Sequence, residues 1–390
     1  MRALVFNSGH DVRVEHLPKP IIDEDDDIVV QVSAAGLGGA DLHIYRGQIP
    51  GIRERDILGR EFVGTVAAAG QAVKELKEGD RVVVPSVVAC GICFFCQRRQ
   101  FAACERSNLD RGTLMNEKII RSGAAFFGYG HFHGGLPGGQ AEFVRVPAAN
   151  VGPVKIPEGM CDDQAIFLCD VLPTAYQAVL NCEIERGDSL AIFGAGPVGQ
   201  MAAACARMLG VERIYICDRH DHLLRFAAEH YDAIPINFNA VNPEQFIIEH
   251  TGFRGADCVI DAVGFEAEGS PLESAMATVK LAGGSGKALR RAIASVRRGG
   301  RISVAGSYSG MLHGFMFGSV FEKNVTIKAG RTHVQRYVRE LMTYVQEGKL
   351  QPEQLVSHHF SLEDGPQAYK LYHNHLEECR KIVLVPGLMQ

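Results

Sequence analysis

Two short patterns in this 390-residue chain have the residue types and spacing to do chemistry. The first is Cys90, Cys93, Cys96 and Cys104, which read Cys-x2-Cys-x2-Cys-x7-Cys. Two-residue gaps bring successive thiolates into one tetrahedral shell, and four sulfurs suit zinc. With every position filled by protein, water and substrate are shut out, so such a zinc is structural. Iron–sulfur ligation uses related spacing, but nothing else in the chain points to one-electron chemistry. The second pattern is Gly194-x-Gly196-x-x-Gly199. It follows the apolar run Leu190–Phe193 and precedes a helical run from Gln200 to Leu209. Gly194 makes the turn, Gly196 admits a pyrophosphate to the backbone, and Gly199 lets helix and strand pack closely. Pro197 suits the first helical turn, and with Val198 it opens a helix whose N-terminus attracts anions. A second apolar run, Arg213–Cys217, ends in Asp218 beside Arg219. A carboxylate there accepts the ribose hydroxyls of an adenosine and repels a 2′-phosphate, which selects NAD.

These patterns need elements to hold them. Residues 1–150 read as short strands between Gly and Pro turns: Asp11–Leu17, Ile28–Ala34, Gly64–Ala68, Arg81–Val84 and Ala141–Val146. That is a β-rich domain. The acidic run Ile21–Asp27 reads as a solvated loop. From about residue 176 the chain alternates strands with helices. The strands are Leu190–Phe193, Arg213–Cys217, Ala233–Asn237, Cys258–Ala262, Arg301–Ala305 and Val325–Lys328; the helices include Pro243–Thr251 and Gly286–Arg297. This alternation predicts a doubly wound parallel sheet, so the fold class is α/β. A helix, Val334–Glu347, and a strand, Lys381–Val385, follow and are expected to return to the first domain.

Composition narrows the class of protein. A net charge of −5 without a basic block argues against nucleic acid as partner. No apolar run is long enough to span a membrane. The opening Met-Arg-Ala-Leu-Val-Phe reads as a strand rather than a signal peptide. Of eleven cysteines, four cluster and seven are scattered: Cys161, Cys169, Cys182, Cys205, Cys217, Cys258 and Cys379. That usage points to a reduced, cytoplasmic setting with one metal site, not to a disulfide framework.

The chain resembles, end to end, the medium-chain dehydrogenase/reductases of the zinc-containing alcohol dehydrogenase type, in the branch of glutathione-independent formaldehyde dehydrogenase. The motifs that carry the resemblance are Gly36–Gly47, Ile57–Gly64, the four-cysteine lobe, Gly138–Val144, Asp170–Thr174, Gly194–Gly199, Asp261–Gly264 and Thr332–Gln335. The resemblance implies a GroES-like catalytic domain from residues 1–175 and 331–390, and a Rossmann NAD-binding domain over 176–330. It implies cofactor contacts from Thr174, Val263, Gly264 and Arg380 besides the glycine turn, and a homodimer or homotetramer acting on a small-molecule substrate.

It also implies a second, catalytic zinc, and there the sequence departs. Gly38 stands where a thiolate ligand is expected, Arg60 where an imidazole is expected, and Ala40 where a hydroxyl passes on the alcohol proton. Asp170 remains, and Asp41, His43, Glu61 and Thr174 match the surrounding positions. One carboxylate does not hold zinc, and arginine has no lone pair to give. A site rebuilt from Cys169, Glu61 and Asp170 is disfavoured, because Cys169 points away from Asp170 if both are extended. Arg60 can polarise a carbonyl as a fixed positive charge, or pair with Asp170 or Glu61. Tyr129, His131 and His133 lie in a Gly-rich loop and can serve as a substrate-side acid or base, but loop packing is the favoured reading; the pairs His358-His359 and His373-x-His375 read as surface groups. The expected chemistry is NAD-dependent alcohol/carbonyl interconversion with a structural zinc and no catalytic one. Alternatives are reduction of an activated C=C or C=N bond, a redox-neutral reaction with retained NAD, and a non-enzymatic NAD-binding protein.

Overall fold

The structure, a computed structural model, describes residues 1–49, 51–108, 123–264, 285–308, 312 and 314–387. The chain forms two compact units: Met1–Pro173 with His333–Gln390, and Thr174–Thr332.

The first unit is built on β-strands. β1 (Arg2–Ser8) and β2 (Asp11–His16) form an antiparallel pair. β3 (Ile28–Leu37), β4 (Glu61–Ala69), β5 (Arg81–Val84), β6 (Phe143–Val146), β7 (Val154–Lys155), β14 (Val356–Ser361) and β15 (Lys381–Val385) form the other sheet. Its order is β14-β15-β3-β4-β5-β7, with β6 also paired to β3. β3 is the hub, ten residues that are mostly buried and include three Val and two Ala. Its C-terminal half lies between β4, where Gly36 faces Glu61, and β15, where Leu37 faces Ile382. The return of the chain's end to this unit therefore rests on backbone pairing as well as on packing. The acidic run is a solvated loop over residues 21–26, and the expectation fails only at its end. Asp27, at the end of the acidic run, is fully buried and accepts from Arg145 at 2.7 Å and from the Glu24 amide at 3.0 Å. A carboxylate can be buried when it is paired and hydrogen-bonded in this way.

The second unit holds β8 (Ser189–Phe193), β9 (Arg213–Asp218), β10 (Ile234–Asn237), β11 (Ala256–Asp261), β12 (Val296–Val304) and β13 (Thr326–Ala329). All pair in parallel in the order β10-β9-β8-β11-β12-β13. The order reverses at β8, and such a switch point is where a doubly wound sheet opens a crevice at its strand ends. The central strands bury both faces, so β8 reads Ser-Leu-Ala-Ile-Phe without a solvent side. Ala191, Phe193, Tyr215, Val259, Ile293 and Ile302 are part of its core.

Candidate active site

The nucleotide-type turn lies after β8, at the switch point. Gly194 sits at φ +97, and a Cβ there would come within 2.8 Å of Val263 Cγ2. A Cβ on Gly199 would lie 1.8 Å from the Gly194 carbonyl oxygen, so the helix Pro197–Met208 reaches the strand only because residue 199 has no side chain. Gly196 differs, since a Cβ there meets nothing within 4 Å. It is the N-cap residue, Pro197 occupies the first turn, and the amides of Val198 and Gly199 fall in the turn that lacks helical acceptors. Asp218 closes β9. Its Oδ2 accepts from the Ala195 amide at 2.7 Å, and its Oδ1 from the amides of Arg219 at 2.7 Å and His220 at 3.1 Å. The carboxylate is thus locked to the glycine turn. On the other side of β8, the buried Asp261 accepts from Val263 and Gly264 amides, each at 3.0 Å, and from the Tyr308 hydroxyl at 2.6 Å. Burial raises the pKa of Asp261 against the lowering effect of these three donors. Thr174 accepts from Thr332 at 2.9 Å.

The four cysteines converge in the first unit. Their sulfurs all lie within 4.8 Å of one another, with Cys90–Cys96 and Cys93–Cys104 at 4.0 Å. Zinc–sulfur bonds of about 2.3 Å in a tetrahedron place sulfurs about 3.8 Å apart, so the set fits zinc. The short helix Phe94–Gln97 carries Cys96, and a 3-10 turn, Phe101–Ala103, delivers Cys104.

The same unit also gathers five charged side chains. Arg60 Nη2 meets Asp170 Oδ2 at 2.6 Å, and the Ser86 hydroxyl donates to Asp170 Oδ1 at 2.9 Å. Lys381 Nζ meets Glu61 Oε2 at 2.6 Å, with the side chains 0% and 2% exposed. Asp41, buried on the helix Gly39–Tyr45, accepts from the Gly38 amide at 2.8 Å. Burial pushes the Asp41 carboxyl up to about 6 although that amide pulls it down. Burial also works against the Arg60 charge, but Asp170, then Tyr129, Glu61 and Asp41, outweigh it and raise its pKa. Sheet register explains the Glu61–Lys381 pair, because β4 and β15 flank β3 where Gly36 and Leu37 stand. A Cβ on Gly36 would sit 2.9 Å from Glu61 Oε2 and 3.0 Å from Lys381 Nζ, so glycine makes room for the ion pair.

Comparison with known proteins then assigns the fold. A family model described as the alcohol dehydrogenase GroES-like domain matches residues 24–158. An uncharacterized zinc-type alcohol dehydrogenase-like protein, AdhB, of Bacillus subtilis (strain 168) is 35% identical over 99% of this chain and 100% of its own length. The chain belongs to the zinc-type alcohol dehydrogenase family. Glutathione-independent formaldehyde dehydrogenase of Pseudomonas aeruginosa (strain LESB58) is 30% identical over 94% of each chain. Among solved structures, alcohol dehydrogenase TADH from Thermus sp. ATN1 has a TM-score of 0.84 and 36% identity, covering 99% of both chains.

The residues present do not fit the catalytic zinc implied by the resemblance to this alcohol dehydrogenase family. Gly38 offers no donor, and a Cβ there would lie 3.1 Å from Glu61 Oε1, which takes the nearby room. Arg60 is a cation, Asp170 is held by Arg60 and Ser86, and Glu61 is held by Lys381. The extended backbone on which Cys169 would point away from Asp170 is not present, since Cys169 ends a 3-10 turn, Ile166–Cys169. Its thiol donates to the Phe62 carbonyl at 3.2 Å, and burial, then the charge of Glu61, raise its pKa. Among the described residues, the other His/Cys/Asp/Glu group close enough to share an ion is His375, Glu377 and Glu378, all exposed.

Other positions resolve as follows. His43 lies buried with Nδ1 3.1 Å from Gln48 Oε1. Arg380 uses its amide to donate to Ser357, whereas the next residue, Lys381, reaches Glu61. Lys381 is the functional candidate that sequence reasoning missed. Its signal was a lysine opening the apolar strand Lys-Ile-Val-Leu-Val. The histidine pairs do not converge on a metal: His358 contacts Ser357, His359 contacts Asp163, and His373 accepts from Arg46. His131 pairs with Asp56, while Tyr129 lies beside Arg60, the guanidinium carbon 5.7 Å from its ring centre.

Proposed function

We propose that this alcohol dehydrogenase-family chain interconverts an alcohol and a carbonyl with NAD, keeps one structural zinc at Cys90, Cys93, Cys96 and Cys104, and works without a catalytic zinc. The observation that carries the reading is the Arg60–Asp170 pair at 2.6 Å. It ties the one remaining family ligand to a permanent cation. The nicotinamide, when bound, would take the hydride in oxidation as NAD⁺ and give it in reduction as NADH. The chain's own contribution on the nucleotide side would be the first-turn amides after Gly196 for the pyrophosphate and Asp218 for the ribose. Asp218, already oriented by the Ala195 amide, keeps lone pairs for a diol and repels a 2′-phosphate. On the substrate side, Arg60 would hold the carbonyl oxygen and the charge that grows on it, the task a Lewis acid performs elsewhere. Asp41, His43, Glu61 and Lys381 would set the field around it, with Thr174 and Arg380 as further cofactor contacts. The setting proposed is a reduced cytoplasm and the assembly a homodimer or homotetramer.

The test is a metal assay with a turnover assay. Purified protein should hold one zinc per chain, and a panel of alcohols and aldehydes should change NADH absorbance. Arg60→Ala should cost about 10²–10³ in kcat while leaving NADH binding intact. Two zincs per chain, or unchanged turnover in the variant, would overturn the reading.

A further inference from the structure

We infer that Tyr129 is the proton donor and acceptor of the reaction, replacing a relay that is broken at Ala40; this rests on the alcohol/carbonyl reading above. In the family resemblance a hydroxyl at position 40 hands the alcohol proton toward His43, and here position 40 has only a methyl. The reaction still needs a group that moves a proton to and from the substrate oxygen. The candidate must sit beside the charge that holds that oxygen, and Tyr129 does.

The loop that carries Tyr129 is anchored on the neighbours of both residues of the Arg60–Asp170 pair, Gly59 and Ser86, and places the Tyr129 ring centre 5.7 Å from the Arg60 guanidinium carbon. Gly128, at φ +55, packs so close to the residue before Arg60 that a Cβ would lie 2.7 Å from the Gly59 amide nitrogen. A Cβ on Gly130 would lie 3.0 Å from the Gly51 carbonyl oxygen. The Phe127 amide donates to the Ser86 carbonyl at 3.4 Å, and the hydroxyl of that serine holds Asp170. The phenol ring is buried, stacked on His133 with centroids 5.1 Å apart and flanked by Phe126 at 6.2 Å. Tyr129 is thus fixed by backbone, not left on a mobile tip. Its charged and titratable neighbours are Arg60, with Asp170, Glu61, Lys381 and Asp41 around that arginine, and His133 on the ring. The other titratable member of the loop, His131, is turned to Asp56.

The step balances. In reduction a hydride released by the reduced nicotinamide, which would become NAD⁺, bonds to the carbonyl carbon, and the C=O electron pair moves to oxygen. The Tyr129 O–H bond breaks, its proton forms the alcohol O–H, and the phenolate charge rests against Arg60 until solvent returns a proton. Oxidation runs the same path backward, with phenolate taking the alcohol proton as hydride leaves.

Tyr129→Phe keeps the ring and its stacking. It should lower kcat by about 10²–10⁴, the usual range for a lost general acid–base, and remove one limb of the pH profile. Melting temperature and NADH binding should hold. Equal kcat and an unchanged pH profile would overturn the inference. Replacing Tyr129 alone by 3-fluorotyrosine keeps the hydroxyl and makes it more acidic, so the limb should move to lower pH. A limb that stays put also counts against Tyr129. The readout independent of turnover is ¹³Cζ-tyrosine NMR, with the Tyr129 signal assigned by its loss in Tyr129→Phe. Arg60→Gln should raise the Tyr129 titration midpoint by about one unit or more, as removal of an adjacent cation requires. No movement would overturn the inference, whatever the turnover. Wild-type protein that is inert on the whole panel but shows the NMR shift would overturn the alcohol/carbonyl reading and support the phenol–guanidinium couple.

Discussion

The two halves of the chemistry are built by opposite means. The glycine turn after β8 is a backbone device: three glycines, a helix start and one carboxylate fixed by amides. The cluster around Arg60 is a side-chain device of two cations and three acids, drawn from β4, β15, the helix Gly39–Tyr45 and the turn at Asp170. The first tolerates no added atoms at the point where helix meets strand. The second depends on two ion pairs, Arg60–Asp170 and Lys381–Glu61, so it fails when one partner of a pair is removed. A substitution should therefore be judged by which device it touches.

The largest effect should come from breaking the backbone device. Gly199→Val puts a side chain where even a Cβ is 1.8 Å from the Gly194 carbonyl oxygen. Neither backbone has slack, because the Gly194 amide is itself bonded to the Cys217 carbonyl at 2.8 Å. The cost should reach about 5 kcal/mol or more, read as loss of cooperative melting or of NADH binding. A stable variant that binds NADH normally would show that steric closure is not what the turn requires.

The side-chain device should break next. Lys381→Met leaves Glu61 buried without its partner, at a cost of about 3–5 kcal/mol in chemical denaturation. Adding Glu61→Gln should return most of it, since the orphaned charge is what destabilises. If the single and double variants are equally unstable, packing of the lysine stem matters more than charge.

A smaller effect belongs to Asp41. Its folded pKa, about 6, lies above the usual carboxylate value. Between about pH 4 and 6 the folded state therefore binds more protons than the unfolded state, and stability falls as pH rises through that window. Above it the loss is constant. Asp41→Asn keeps an acceptor for the Gly38 amide and should be more stable than wild type by about 2–3 kcal/mol at pH 8, and equal to it near pH 3. Parallel pH profiles for the two proteins would show that Asp41 is not held neutral.

The same contrast explains what could be read from the sequence. The turn lies within ten residues, so spacing alone placed Gly194, Gly196, Gly199 and, one strand on, Asp218. The strand and helix alternation came through for the same reason, with shifts of a few residues such as β12, which begins at Val296 instead of Arg301. The cysteine lobe is equally local. Arg60 could be seen as out of place, but Asp170 as its partner was one of two options until the fold set the distance. Lys381 was invisible because its partner is 320 residues away and only the β4-β3-β15 order joins them. Asp27 was misread because a charge run does not reveal its one buried member, and the backbone at Cys169 stayed open because an apolar run does not reveal a 3-10 turn.

The sharpest way to separate chain from ligand is the mildest substitution. Gly196 has an ordinary φ of −67, and its Cβ would meet no protein atom within 4 Å. Nothing in the chain demands glycine there, in contrast to positions 194 and 199. Gly196→Ala should therefore cost no more than about 1 kcal/mol of stability, the loss expected when alanine takes a helix N-cap. If a pyrophosphate approaches this backbone, the new methyl stands in its path, and NADH affinity measured by fluorescence should fall by about tenfold or more. Unchanged stability with unchanged affinity would mean that the cofactor does not use this turn, and the backbone device would then be no more than a tight strand-to-helix connection.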